Sequence, residues 1–233
     1  SKLAFTVQPS AVVAGAAINP AVQVTVQDAQ GNTVTNATTS VTLAIPTGTG
    51  TAGAVLTGTA SVVAVAGVAT FTDLSLDKAA TGYTLTAAAT SLTGATSTAF
   101  NVTPGAAIRL AFTAQPSAVV AGAAIAPAVK VTVQDAQGNT VTSATTSVTL
   151  AIATGTGADG ALLGGTLTQA AVAGVATFAN LTLDKAGTGY ALTASATSLT
   201  SATSTAFAVT PGAASKLAFT VQPSAVVAGA ALS

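Results

Sequence analysis

Apolar and polar side chains alternate along this chain in short runs separated by turn-forming residues. Leu3, Phe5 and Val7 alternate with polar or small neighbours until Gln8-Pro9-Ser10 breaks the run. After Pro20, Val22, Val24 and Val26 point one way while Gln23, Thr25 and Gln27 point the other. Val41, Leu43 and Ile45 repeat the pattern, as do Tyr83, Leu85 and Ala87. A period of two puts alternate side chains on opposite faces of a pleated strand, so each run predicts a half-buried β-strand. The breaks have a chemical cause. In Asp28-Ala29-Gln30-Gly31-Asn32, Gly and Asn accept a positive φ and Asp can bond its own backbone, which predicts a turn. Residues 47–53 are a Gly-Thr loop. Gly67-Val68-Ala69-Thr70-Phe71 opens a strand that Leu74 and Leu76 continue out of step, which predicts a bulge or bend near Asp73. Phe100 and Val102 close the pattern before Thr103-Pro104-Gly105. About seven strands, with turns roughly every ten residues, predict an all-β Greek-key sandwich.

The pattern then starts again. Lys2-Leu3-Ala4-Phe5-Thr6 returns as Arg109-Leu110-Ala111-Phe112-Thr113 and as Lys216-Leu217-Ala218-Phe219-Thr220. Phe5, Phe112 and Phe219 are 107 residues apart each time, and Asp28/Asp135, Gly67/Gly174, Tyr83/Tyr190 and Pro104/Pro211 keep that register. Residues 1–107 and 108–214 are two gapless copies that agree at 84 of 107 positions, enough to share one fold. Residues 215–233 are the first-strand region of a third repeat, either truncated or available for donation. Eight of the 23 differences fall between Thr51 and Val63, as expected of a loop or edge. The short linker 103–107, stiffened by Pro104, predicts a beaded rod. Strands of about ten residues would lengthen it by roughly 33 Å per copy.

Composition narrows the function. Half of the residues are hydrophobic, yet aromatics are 4% and charged residues 5%, so the core is mostly Ala and Val. Six basic and six acidic residues cancel. No basic patch is present to neutralise phosphates and no polybasic run to hold an anionic membrane, which argues against both partners. The longest apolar stretches, such as 11–18, fall short of the ~18 residues that a bilayer span needs. A near-neutral, apolar-leaning surface favours self-association. Without Cys there are no disulfides and no thiolate chemistry.

The runs Val26-Gln27-Asp28-Ala29-Gln30-Gly31-Asn32-Thr33-Val34, Gly67-Val68-Ala69-Thr70-Phe71 and Gly82-Tyr83-Thr84-Leu85-Thr86-Ala87 together resemble the bacterial immunoglobulin-like domain. That family recurs in invasin- and intimin-type surface proteins and other extracellular stalks. The resemblance covers both full copies and the partial third. It implies tandem immunoglobulin-like sandwiches of about seven strands, an extracellular or cell-surface setting, and a spacer or adhesive role without common catalytic residues. Tyr83 and Tyr190 stand where a tyrosine corner would, near the start of the penultimate strand.

The inventory for chemistry is poor. His, Cys and Glu are absent, and the copies share only Asp28/Asp135 and Asp77/Asp184 as carboxylates, all at turns. No enzyme, cofactor or metal is expected. The 28–32 turn lacks the spacing and terminal Glu of a calcium loop. A weak site joining Asp73 and Asp77 would lose Asp73, which becomes Asn180 in the second copy. A Lys2–Asn101 crosslink is rejected because Arg109 and Ala208 replace the pair. Three sequons, at Asn36, Asn101 and Asn180, have no counterpart in the other copy. The expected role is a structural filament or stalk whose partner is itself. Leu217, Phe219 and Val221 are candidates for a strand given to a neighbour. The alternative is an adhesin that binds a surface glycan or protein.

Overall fold

The computed structural model describes residues 1–222, 225–229 and 231, and every regular element among them is a β-strand. The first repeat contains β1 (Lys2–Val7), β2 (Val12–Val13), β3 (Val22–Gln27), β4 (Ser40–Ala44), β5 (Leu56–Thr57), β6 (Ser61–Val63), β7 (Val68–Phe71), β8 (Ser75–Leu76), β9 (Ala80–Tyr83), β10 (Thr86–Ala88), β11 (Ala95–Thr96) and β12 (Phe100–Thr103). One sheet runs β1-β3-β7 and another β11-β10-β4-β6; β2-β12-β9 and β5-β8 complete the shell. The second repeat has the same four sheets, from Arg109–Ala114 to Phe207–Thr210. The fold is a tandem of immunoglobulin-like sandwiches.

Twelve segments replace the seven expected strands because strands are interrupted where they bend. The run Tyr83, Leu85, Ala87 is split between β9 and β10, which join different sheets. At the break Leu85 N–H donates to Ser97 Oγ at 2.9 Å, and Ser97 N–H donates to Leu85 O at 2.8 Å, so both backbone groups of buried Leu85 are paired. Of the bulge or bend predicted near Asp73, the structure has the bend, at Asp73, and it marks a change of sheet. β7 pairs with β3, the chain turns at 72–74, and β8 pairs with β5. Leu74 and Leu76 remain buried, which is why the core pattern ran on while the pairing did not. The register does shift in β1, between Phe5 and Val7. Among the described residues no strand reaches the ten residues expected: the longest have six, or about 20 Å.

Each repeat has its own core. Val22, Val24, Leu43, Phe71, Leu74, Tyr83 and Leu85 centre the first, and the equivalents of the second form a separate cluster. Much of the variable stretch Thr51–Val63 maps to the edge strand β6 and the approach to β5, where packing demands little. The register also sets the poles. Lys2 pairs with Gln27, beside the 28–32 turn, whereas Thr103 pairs with Val13, beside Gly15. The chain therefore enters each sandwich at one pole and leaves at the other.

Candidate functional site, a polar joint between the repeats

Tyr83 and Tyr190 are fully buried, and their rings lie 6.0 Å from those of Phe100 and Phe207. Each phenol donates to a carbonyl five residues upstream: Tyr83 to Lys78 O at 2.9 Å, Tyr190 to Lys185 O at 2.8 Å. Burial pushes the Tyr83 phenol above its usual 10.0, with Asp77 adding to the effect, so it stays a neutral donor. Gly50, at φ +61°, lies flat against the Tyr83 ring, which a Cβ would strike. Gly50→Ala is expected to cost about 1–3 kcal/mol by overpacking, with urea unfolding as the check.

What Tyr83 holds is the 77–79 turn, and that turn meets the second repeat. Asn139 donates from Nδ2 to Asp77 O at 2.9 Å, and its Oδ1 accepts from Ala79 N–H at 2.9 Å. Asp135 Oδ2 accepts from Gly105 N–H in the linker at 2.8 Å. Inside the turn, Asp135 also accepts from the Asn139 backbone at 2.8 Å and from its Nδ2 at 3.0 Å. Gln137 lies over Gly15, where a Cβ would collide with its amide. Asp135 and Asn139 are 0% and 8% exposed. A buried carboxylate is tolerated only when hydrogen-bonded, and this one is ringed by donors.

Burial raises the Asp135 pKa, but hydrogen bonds from Asn139, Gly105 and Gln137 outweigh it and leave the carboxyl below the usual 3.8. A depressed folded value means stability that is complete above the unfolded pKa, about 3.9, and lost as pH falls through the lower folded one. Calorimetry from pH 5 to pH 2 is expected to show acid destabilisation of the chain that Asp135→Asn reduces.

The other carboxylates have separate tasks. Asp73 accepts from Thr59 N–H and its hydroxyl, both at 2.9 Å, while Asp77 accepts from Val55 N–H at 2.7 Å. Asn180 replaces Asp73 yet keeps both bonds to Thr166, at 3.0 Å each, so the loop needs the hydrogen bonds and not the charge. Among the described residues no three His, Cys, Asp or Glu side chains group together, and no helix is long and apolar enough to cross a membrane. Hollows in the Gly-Thr loops are lined mostly by Gly, Ala and Thr, with Ile45 and Pro46 in one and Ile152 and Asp159 in the other.

Leu217, Phe219 and Val221 lie in an irregular segment and are 102%, 78% and 76% exposed, whereas Leu3 is 3% exposed. Residues 215–231 repeat 1–17 letter for letter, but 215–221 differ from 108–114 at Ser215, Lys216 and Val221. Tyr83, Tyr190 and this segment stand out in the sequence, whereas Asn139, Gln137, Gly105 and Ala79 do not. The available signal was that the only carboxylates shared by both copies sit on the two turns that meet.

No family model matches the chain, and no curated protein does. Solved structures do. The chain is similar to FdeC, an adhesin of Escherichia coli, at 21% identity over 90% of this chain and 62% of that one, with a TM-score of 0.35. It is similar to the Yersinia pseudotuberculosis adhesin InvE at 17% identity, over 89% and 58%, with a TM-score of 0.33. For the D00-D0 domain of intimin the identity is 13%, over 89% and 98%, with a TM-score of 0.42. The chain spans less than two thirds of FdeC and InvE as solved.

Proposed function

We propose that this chain is a cell-surface structural protein, an extracellular stalk or filament in which repeats 1–107 and 108–214 are links stacked end to end. The observation that carries the reading is the joint. A flexible tether between independent sandwiches needs no buried Asp–Asn pair, whereas a stiff rod needs its links held in one orientation. Polar contacts of fixed geometry do that better than apolar ones, because a misplaced buried donor or acceptor is penalised. A formal net charge of zero removes the repulsion that keeps like molecules apart.

Links in different molecules would be joined by strand complementation. The segment 215–221 carries the sequence of residues 1–7, so Leu217, Phe219 and Val221 fit the place that Leu3, Phe5 and Val7 occupy against β3. The exchange is neutral in burial, since the two segments are the same, and its bias must come from contacts made alongside it. Lys216 and Val221 match repeat 1 and not repeat 2, so the natural acceptor is the first repeat of another copy. No catalytic step belongs to this reading, given an inventory without His, Cys or Glu.

An adhesive arm is the second reading, suggested by the adhesins FdeC and InvE among the similar structures. Against it, Phe219 is the one exposed aromatic side chain among the described residues, so the sandwiches offer no aromatic platform for a sugar. Electron microscopy of the purified chain at rising concentration tests the first reading. Threads with a regular axial period support it. Dispersed two-bead particles at every concentration would overturn it, and saturable binding to a glycan or surface-protein panel would then favour the arm.

A further inference from the structure

The joint has two halves, and because the repeats are copies each carries both. The half that Asp135, Gln137 and Asn139 present is present again as Asp28, Gln30 and Asn32. The half made by Gly15, Asp77, Ala79 and Gly105 is present again as Gly122, Asp184, Ala186 and Gly212. Within the chain one half of each kind is used. Among the described residues no repeat lies against the other two, which are at opposite poles. Asn32 is exposed and Asp28 only partly covered, whereas Asp135 and Asn139 are buried. Asp184, Ala186 and Gly212 are exposed. Gly15 has Gln137 against it, but a Cβ on Gly122 would meet nothing within 4 Å.

Both open halves already have the shape of the closed ones. Asn32 N–H donates to Asp28 Oδ1 at 2.8 Å and Asn32 Nδ2 to Asp28 Oδ2 at 2.9 Å, against 2.8 and 3.0 Å in the buried turn. Tyr190 pins Lys185 O as Tyr83 pins Lys78 O. Preformed surfaces bind without the cost of ordering them.

We infer that the open halves are each other's binding sites on separate copies of this chain. Asn32 of one copy takes the position of Asn139, donating to Asp184 O and accepting from Ala186 N–H of the next. Gly212 N–H donates to the Asp28 carboxylate as Gly105 does to Asp135. This rests on the end-to-end reading above and supplies the residues that bias it. Residues 215–221 follow Gly212 as 108–114 follow Gly105, so closing the joint brings this segment to the pole where β1 begins. The contact is head to tail and not self-complementary, so it can repeat from copy to copy as a thread.

The absence of Cys makes a direct test available. Paired cysteines report proximity, since a disulfide forms only when Cα atoms come within about 7 Å. In the full chain, Ala79→Cys with Asn139→Cys is the internal control and is expected to oxidise within one molecule. Asn32→Cys with Ala186→Cys is expected to give a ladder of dimers and higher species on non-reducing gels. A control that closes beside a test pair that stays monomeric, while the unmodified chain forms threads, would overturn the joint and leave the filament standing. No ladder and no threads at any concentration would overturn both. If the control fails to close, Asn32→Ala decides. It is expected to raise the concentration needed for assembly about tenfold, as losing such hydrogen bonds would; unchanged assembly overturns the inference.

Discussion

Tyr83→Ala is expected to lower the stability of the first repeat by about 3–5 kcal/mol, the range for emptying a large aromatic site in a packed core. The ring is fully buried, touches Gly50 and stacks at a tilt on Phe100, so no neighbour can collapse into the space without moving a strand. Tyr83→Phe separates the hydroxyl from the ring. It is expected to cost about 1–3 kcal/mol, because the Lys78 carbonyl loses its donor. Its second effect is the informative one. Lys78 lies between the two residues that grip Asn139, so Tyr83→Phe should loosen the joint as well. Tyr190→Phe, with the same local chemistry and no repeat among the described residues against 184–186, should affect only its own sandwich in this chain. Urea unfolding of the three variants reports the stabilities. Small-angle scattering reports whether the Tyr83→Phe chain bends more than the Tyr190→Phe chain.

Asn139→Ala is expected to cost about 2 kcal/mol, within the range for orphaning buried polar groups. The side chain makes two bonds to the first repeat and one to Asp135, and its loss leaves a buried carboxylate short of a donor. Asn32→Ala removes the same residue from the same turn, but in a solvated setting where water replaces the lost partner. Its effect on the melting of the dilute chain should be well under half as large. The comparison isolates the joint from the turn, because the two sites have the same local sequence. Equal effects would mean that Asn serves only its own turn.

The strands and the repeat were readable because they are written locally. A period of two marks Leu3–Phe5–Val7 and Val22–Val24–Val26 as strands, and a register of 107 marks the copies. Leu74 and Leu76 mark the bend at Asp73 but not the change of sheet, because burial and pairing are different properties: the leucines stay in the core while the backbone changes sheets. The joint was hidden for a deeper reason. Asp28 and Asp135 have the same neighbours in sequence and adopt the same turn, yet one is wet and the other has 0% exposure. What separates them is whether another repeat lies against the turn, and no local pattern encodes that. Residues 1–7 and 215–221 make the same point: one sequence is a strand where β3 lies beside it and irregular where no strand among the described residues does.

The central claim is that the repeats are held by a standing joint and not by a loose tether. Amide hydrogen exchange, resolved residue by residue by NMR on the dilute full chain, tests it most directly. Ala79 and Gly105 donate their N–H groups across the joint, while Ala186 and Gly212 are their exposed equivalents in the second repeat. The account predicts that Ala79 and Gly105 exchange at least about tenfold more slowly than Ala186 and Gly212, since protection follows the free energy of local opening. Equal exchange at all four amides would contradict it, and would mean that the two sandwiches swing independently on the 103–107 linker.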